Sequence, residues 1–206
     1  GIVPREFHRK AGEAGLLGLG FPEAYGGTSE GIDVFHKLVL VDETARCGAG
    51  GVQAGLFTHQ IVLQPLIEVG HPEVRDAVVP AIISGEKILS VGVTEPSGGS
   101  DVAQLKTTAV RKGDRYVVNG SKTFITNGMR ADYVLTAVRT GGPGFGGISM
   151  LLIPTDAKGF GRTSLKKMGW HASDTATIYF EDVEVPVENL VGAENEGFKH
   201  VMKRFN

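Results

Sequence analysis

The strongest constraint on this chain is a change of hydrophobic period near Gly85-Glu86-Lys87. Upstream, apolar residues recur at three- and four-residue steps, as in helices buried along one face; downstream, short β-prone runs alternate with turn signals. The pattern predicts an amphipathic helix over residues 5–19, carried by Phe7, Ala11, Ala14, Leu16 and Leu17 and stopped before Pro22. Asp33 is placed to cap a second helix through Phe35, Leu38, Val39 and Ala45, ending at Gly48-Ala49-Gly50-Gly51, and a third is expected over 52–67. His71-Pro72 reads as the cap and first position of a fourth, with Val74, Val78, Val79, Ile82 and Ile83 as its buried face.

Beyond residue 88 the runs 107–110, 116–118, 122–126, 133–138, 148–153 and 175–180 are rich in β-branched and aromatic residues. Gly113-Asp114, Asn119-Gly120, Asn127-Gly128 and Gly141-Gly142-Pro143-Gly144 separate them at hairpin spacing. The expected class is α+β: an N-terminal α-helical domain over 1–87, then an antiparallel β-sandwich or barrel over 88–187. Residues 188–206 read as a linker and the start of another helical domain, with helical character over 196–203 and fraying over 198–206.

The 206 residues are 41% hydrophobic and 21% charged, enough for a sizeable core. Residues 1–88 hold 7 Lys and Arg against 11 Asp and Glu, and residues 89–206 hold 14 against 12. No concentrated basic face for nucleic acid arises from that balance. Cys47 is the single cysteine, which excludes an intrachain disulfide and a thiolate metal site. His8, His36, His59, His71, His171 and His200 are scattered without metal-ligand spacing, so no metal is expected. No run approaches the ~18 apolar residues of a membrane span and no signal-peptide core opens the chain, so a soluble, intracellular protein is expected, cytoplasmic or in the mitochondrial matrix.

Val93-Thr94-Glu95-Pro96-Ser97-Gly98-Gly99-Ser100-Asp101 follows directly on an apolar run. Pro96 removes a donor and Gly98-Gly99 admit positive φ, so the segment is either a surface turn or a loop presenting bare backbone N–H groups to something electron-rich. Gly142, Gly144 and Gly147 match G-x-G-x-x-G, but a strand rather than a helix follows them, so the segment reads as a hairpin loop. His171, in the glycine-flanked segment 168–174, reads as a structural or exposed residue. Phe124 and Thr126 stand two apart on a strand and so share a face, against which a flat ring could lie or which could simply be half-buried.

These segments resemble the acyl-CoA dehydrogenase family of flavoenzymes. The resemblance rests on Val93-Thr94-Glu95-Pro96 with Gly99-Ser100-Asp101, Asn119-Gly120-Ser121-Lys122 leading into Phe124-Ile125-Thr126-Asn127-Gly128, Lys167-Met168-Gly169, Ser173-Asp174-Thr175, Phe180-Glu181-Asp182-Val183 with Pro186, and Gly192 with Glu196-Gly197-Phe198, all in family order. Gly15-Leu16-Leu17-Gly18 and residues 22–27 of the helical part fit too. It implies FAD as cofactor and α,β-dehydrogenation of a fatty acyl-CoA thioester, with Val91, Val93, Thr94, Gly99, Ser100, Phe124, Ile125 and Thr126 at the cofactor. Thr94 would lie at the pyrimidine edge of the isoalloxazine ring and Thr126 near N5 and O4. Phe124, where many members carry Trp, would cover a ring face, and Ser100 would lie near the FAD and CoA phosphates as the substrate-binding residue.

The resemblance also implies an electron-transfer flavoprotein as electron acceptor and a homodimer or homotetramer. The family's catalytic base belongs to a C-terminal helical domain, and its first helix has no counterpart here, so the catalytic residue stays unassigned and Glu95, Glu181 and Glu196 are not promoted to it. This segment by itself is expected to bind FAD weakly and to turn over no acyl-CoA. An acyl-CoA oxidase or a nitroalkane-oxidase-like relative, and a non-catalytic module retaining the fold, are the competing readings.

Overall fold

The computed structural model describes residues 3–199. Five helices come first: α1 (Arg5–Glu13), α2 (Val34–Arg46), α3 (Gly50–Phe57), α4 (His59–Val69) and α5 (Pro72–Ile83). Eight strands follow: β1 (Leu89–Gly92), β2 (Thr108–Lys112), β3 (Arg115–Thr126), β4 (Tyr133–Arg139), β5 (Ile148–Pro154), β6 (Phe160–Ser164), β7 (Thr175–Pro186) and β8 (Leu190–Val191). They form one sheet in the order β6-β7-β3-β2-β4-β5-β8, with β1 beside β4. Pairing is mostly antiparallel; β1 runs parallel to β4, and β2 meets the end of β4 in parallel. The expected order of a helical part and then a β part is what the chain adopts, and the sheet does not close into a barrel.

The helix boundaries follow local chemistry. Asp33 accepts from the amides of Phe35 and His36 while the His36 ring closes the box on the Asp33 amide, as its position predicts. His71 is the N-cap and Pro72 the first position of α5. Two expectations are corrected. The helix expected over 5–19 ends at Glu13, because Gly15 turns the chain at φ +75. The helix expected over 52–67 is two, α3 and α4, broken at Thr58, whose hydroxyl bonds back to the Ala54 carbonyl at 2.6 Å.

Asn119-Gly120, expected as a turn, lies inside the twelve-residue strand β3. Gly120 has φ +142, and a Cβ there would sit 2.7 Å from the Cα of Thr107; the pair makes a bulge with a register shift against β7. Asn119 exchanges two 2.9 Å hydrogen bonds with Asp182 on β7 instead of starting a turn. The hairpin reading of Gly142–Gly147 is met: the glycines link β4 to antiparallel β5. β6, β8 and the extension of β7 to Pro186 were not anticipated.

The core sits on both faces of β4 and β5. Leu135, Ile148 and Leu152 face Leu63, Leu66, Val79 and Ile82 of α4 and α5. Val134, Val138, Leu151 and Ile153 face the opposite way, toward Val118, Ile125, Ile178, Val183 and Val185 of β3 and β7. Burial on both faces explains why 148–153 reads as a nearly continuous apolar run. Among the described residues no helix is long and apolar enough to cross a membrane. A helical turn starts at residue 197; the rest of the helix expected over 196–203, and the fraying expected over 198–206, fall from residue 200 onward outside the described residues.

Gly85 closes α5 at φ +74, and a Cβ there would lie 2.1 Å from the His8 carbonyl oxygen of α1. Left-handed strain and a backbone clash act together at this junction. Gly85→Ala is expected to destabilise the fold by roughly 2–4 kcal/mol, read as an earlier midpoint in urea unfolding followed by circular dichroism.

Candidate active-site cleft

Where the helices meet the edge of the sheet, a cleft of about 450 Å³ opens. α2 contributes Lys37, Leu40 and Val41, and α3 contributes Gln53, Ala54 and Phe57. The sheet side is Val91, Val93 and Thr94 at the end of β1, and Phe124, Ile125 and Thr126 at the end of β3; Trp170 stands at the margin. The lining is apolar apart from a few hydroxyl and amide groups and one ammonium, and its size is that of a small-molecule site.

Six of the residues expected at a cofactor, Val91, Val93, Thr94, Phe124, Ile125 and Thr126, therefore meet in one cleft although some thirty residues separate the two runs. Ser100 and Gly99 do not line it. Ser100 is exposed. Gly99 acts through its neighbour: a Cβ there would be 2.9 Å from the Thr94 methyl, so only glycine lets the 96–101 loop fold back against Thr94.

Local backbone strain aims the aromatic ring. The pairing of β3 with β7 slips between Lys122 and Ile125, and within that bulge Phe124 takes φ +60 and leaves its side chain 70% exposed. A bulge re-aims a side chain in this way, and a bulky residue in the left-handed region is an outlier that the surroundings must hold. Trp170 repeats the pattern at φ +52 and 64% exposed. Its loop is tied by Lys167 Nζ donating to the carbonyls of Trp170 at 3.1 Å and Ser173 at 2.6 Å. Gly50 and Gly51 let α3 approach it: a Cβ on Gly50 would meet the indole nitrogen at 3.3 Å, and one on Gly51 the Trp170 carbonyl at 3.0 Å. Sequence reasoning missed Trp170, Lys37, Gln53 and Phe57; the doubled glycine, read only as a helix stop, was the available signal for the first.

No carboxylate lines the cleft among the described residues. Glu95 is turned away and buried, accepting from Lys122 Nζ at 2.8 Å and from the amides of Lys106 and Thr107 at 2.6 and 2.8 Å. Burial alone pushes its carboxyl upward, but Lys122 and the amide donors outweigh that and hold it well below the usual range. Burial in turn lowers the Lys122 ammonium while Glu95 opposes the shift. Glu181 and Glu196 are exposed and away from the cleft. The exposed His171 ring hydrogen-bonds the Lys167 carbonyl at 3.0 Å.

Behind Thr126 the turn is anchored to the helical part. Asn127 Nδ2 donates to the Gly55 carbonyl at 2.7 Å, and Arg130 bonds Asn127 at 2.8 Å and Asp174 at 2.6 Å. The His8 ring reaches the same Gly55 carbonyl at 3.3 Å. Ser90 on β1 donates its hydroxyl to the Thr126 carbonyl. The floor of the cleft is thus pinned to α1, α3 and the 173–174 segment at once.

The family comparisons agree with this geometry. Residues 1–86 match the N-terminal domain and residues 90–183 the middle domain of acyl-CoA dehydrogenases. A solved structure of a probable acyl-CoA dehydrogenase from Mycobacterium abscessus superposes with a TM-score of 0.95 at 51% identity, over 100% of this chain and 55% of that one. The short-chain specific acyl-CoA dehydrogenase of Clostridium acetobutylicum is 41% identical over 97% of this chain and 53% of its own length. The long-chain specific mitochondrial enzyme of Rattus norvegicus is 38% identical over 98% and 47%. The chain belongs to the acyl-CoA dehydrogenase family. It spans about half the length of the curated relatives it matches.

Burial first, then the Arg130 charge, lower His8 from the ordinary 6.5 to about 4, against the opposing Gly55 hydrogen bond. Between those values the unfolded chain takes up a proton that the folded chain refuses, so stability falls as pH drops from about 6.5 to 4. Burial pushes His59 the same way. His8→Gln is expected to flatten part of that acid loss, read as the difference in melting temperature between variant and parent across the window.

Proposed function

We propose that the cleft holds the isoalloxazine ring of FAD together with the reacting end of an acyl-CoA thioester, and that the intact protein is an FAD-dependent acyl-CoA dehydrogenase. The observation that carries this reading is the convergence of Thr94 and Thr126, from separate strand ends, on one apolar cleft beside the exposed Phe124. The donor set fits a flat ring with one polar edge: two hydroxyls for that edge, an aromatic face, and aliphatic walls from Val91, Val93 and Ile125.

FAD supplies a hydride acceptor for the hydrogen leaving the β-carbon. The chain's own part is electrostatic and steric. The Thr94 and Thr126 hydroxyls would donate to the ring edge where negative charge develops, and fixed donors of that kind favour the charge without reorganising. Phe124 would cover a ring face, while Leu40, Val41 and Phe57 keep water from the reacting carbons. Ser100 would reach the phosphates outside the cleft. The α-proton requires a base, and none of the described cleft residues is a carboxylate, so that role stays unassigned. The same reading divides the chain into a helical part over 1–87 and a β part over 88–187, to whose sheet β8 (Leu190–Val191) also belongs. Electrons would pass on to an electron-transfer flavoprotein, from a homodimeric or homotetrameric enzyme.

Acyl chain length does not follow from similarity, since a short-chain and a long-chain relative stand at 41% and 38% identity. The reading is tested on the intact protein: flavin absorbance bands should be present and should bleach anaerobically with one or more of a panel of straight and branched acyl-CoAs. Absence of flavin, or bleaching only by a non-thioester substrate, would overturn it. Oxygen consumption at the rate of reduction of an external acceptor would favour an oxidase instead.

Thr126→Val removes a hydroxyl with little change of volume. The expected loss is on the order of 1 kcal/mol, or several-fold in the rate of flavin reduction, measured by stopped-flow absorbance with the melting temperature unchanged.

A further inference from the structure

The buried ion pair Lys122–Glu95 has no place in the chemistry proposed above, and its burial is nearly complete: the side chains are 0% and 4% exposed. A buried ion pair is weak evidence for stability, because desolvation offsets most of the attraction and an apolar replacement of similar volume is often no worse. Here the pair joins two pieces of chain that nothing in sequence holds together.

Lys122 Nζ donates to Glu95 Oε1 at 2.8 Å and to the Val93 carbonyl at 3.1 Å. One residue further on, the Thr123 amide donates to the Thr94 carbonyl at 2.8 Å. Glu95 also collects the amides of Lys106 and Thr107, which anchors it to the chain entering β2. The three consecutive residues 93–95 are therefore each bonded to 122 or 123, immediately before the bulge that turns Phe124 outward. Gly92 lies beside the lysine stem: a Cβ there would stand at ordinary contact distance, 3.5 Å, from Lys122 Cγ and would press on Val134 Cγ1 at 3.2 Å.

We propose that Lys122 and Glu95 are positioning residues for the cleft, a clip that sets the spacing of the Thr94 wall against the Phe124–Thr126 wall and does so without leaving net charge beneath it. The inference rests on the flavin reading for its redox consequence and on geometry alone for the clip. Removing both charges together with near-isosteric groups keeps the core filled and neutral while deleting the cross-links. Removing Lys122 alone leaves Glu95 as an anion against Val93, still held by the Lys106 and Thr107 amides, whereas removing Glu95 alone takes away the partner that opposes burial at the Lys122 ammonium, so in Glu95→Gln the lysine sheds its proton and leaves no charge. A residual anion opposes the negative charge of reduced flavin.

The test uses the full-length protein and the double variant Lys122→Met/Glu95→Gln. The melting temperature is expected to stay within a few degrees of the parent, while amide hydrogen exchange speeds at least tenfold at 93–95 and 122–126 and not in the helices. FAD affinity is expected to fall at least tenfold. In the single variants the flavin midpoint potential is expected to move down for Lys122→Met and to match the double variant for Glu95→Gln, a difference that loss of packing alone does not produce. Unchanged exchange at both segments in the double variant overturns the clip, whether or not flavin is bound. A Lys122→Met potential no lower than that of the double variant overturns the charge-balance part. If the parent protein binds no flavin, the flavin reading fails and the exchange measurement still decides the clip.

Discussion

A strand buried on both faces must be covered on both faces, and β4 and β5 impose that requirement on everything around them. α4 and α5 cover one face through Leu63, Leu66, Val79 and Ile82. The other is covered by the long pair β3 and β7 curling across it with Val118, Ile178 and Val183. Helices and curled strands cannot both follow the same edge, and where they part, at the ends of β1 and β3, a cleft remains. The site is thus a consequence of the layering, at the place where sheet packing gives way to helix packing. The same seam explains the concentration of strain there: Phe124 at φ +60 and Trp170 at φ +52 are large residues in the left-handed region, and both line the cleft.

The legibility of the fold in the sequence varied with how local its determinants are. Asp33 and His71-Pro72 each specify a helix start through groups within one turn, and both behave as their chemistry dictates. Asn119-Gly120 has the same local signature as a hairpin turn, yet the long register of β3 with β7 recruits it as a bulge, and Asp182 supplies the partner that a turn would have supplied from its own backbone. Tertiary pairing overrode turn chemistry there. The break at Thr58 was hidden for a related reason: an unbroken apolar period spans both α3 and α4, and period alone does not reveal where one helix stops and the next starts.

At the cleft, what sequence motifs supplied was the pairing of the 91–94 and 124–126 runs, and the backbone brings those runs together. Ser100 lies outside the pocket because the loop carrying it turns at Gly98-Gly99 toward solvent. Lys37 and Trp170 were illegible as lining residues, since each reaches the cleft only through a long-range approach: α2 lies across the pocket from β1, and the 167–173 loop comes up against the glycines of α3. Lys122 is the sharpest case. A lysine in a strand ordinarily reads as a solvated edge residue, and the Val93 carbonyl and the Glu95 carboxylate are what make burial of its ammonium tolerable.

The chemical character of the cleft follows from where its charges were put. Glu95 follows the cleft-lining Thr94 directly, and it is spent on an ammonium and two backbone amides, with both oxygens engaged and the carboxyl held ionised. A carboxylate so engaged is a poor proton acceptor, because each hydrogen bond to its charged form would have to be weakened as the proton arrives. The remaining groups at the cleft are hydroxyls, amides, one lysine and aromatic surface. Such a set can orient a planar ligand, offer donors where negative charge gathers and keep water away. Among the described residues it provides binding and electrostatics, and no carboxylate stands in the cleft to act as a base.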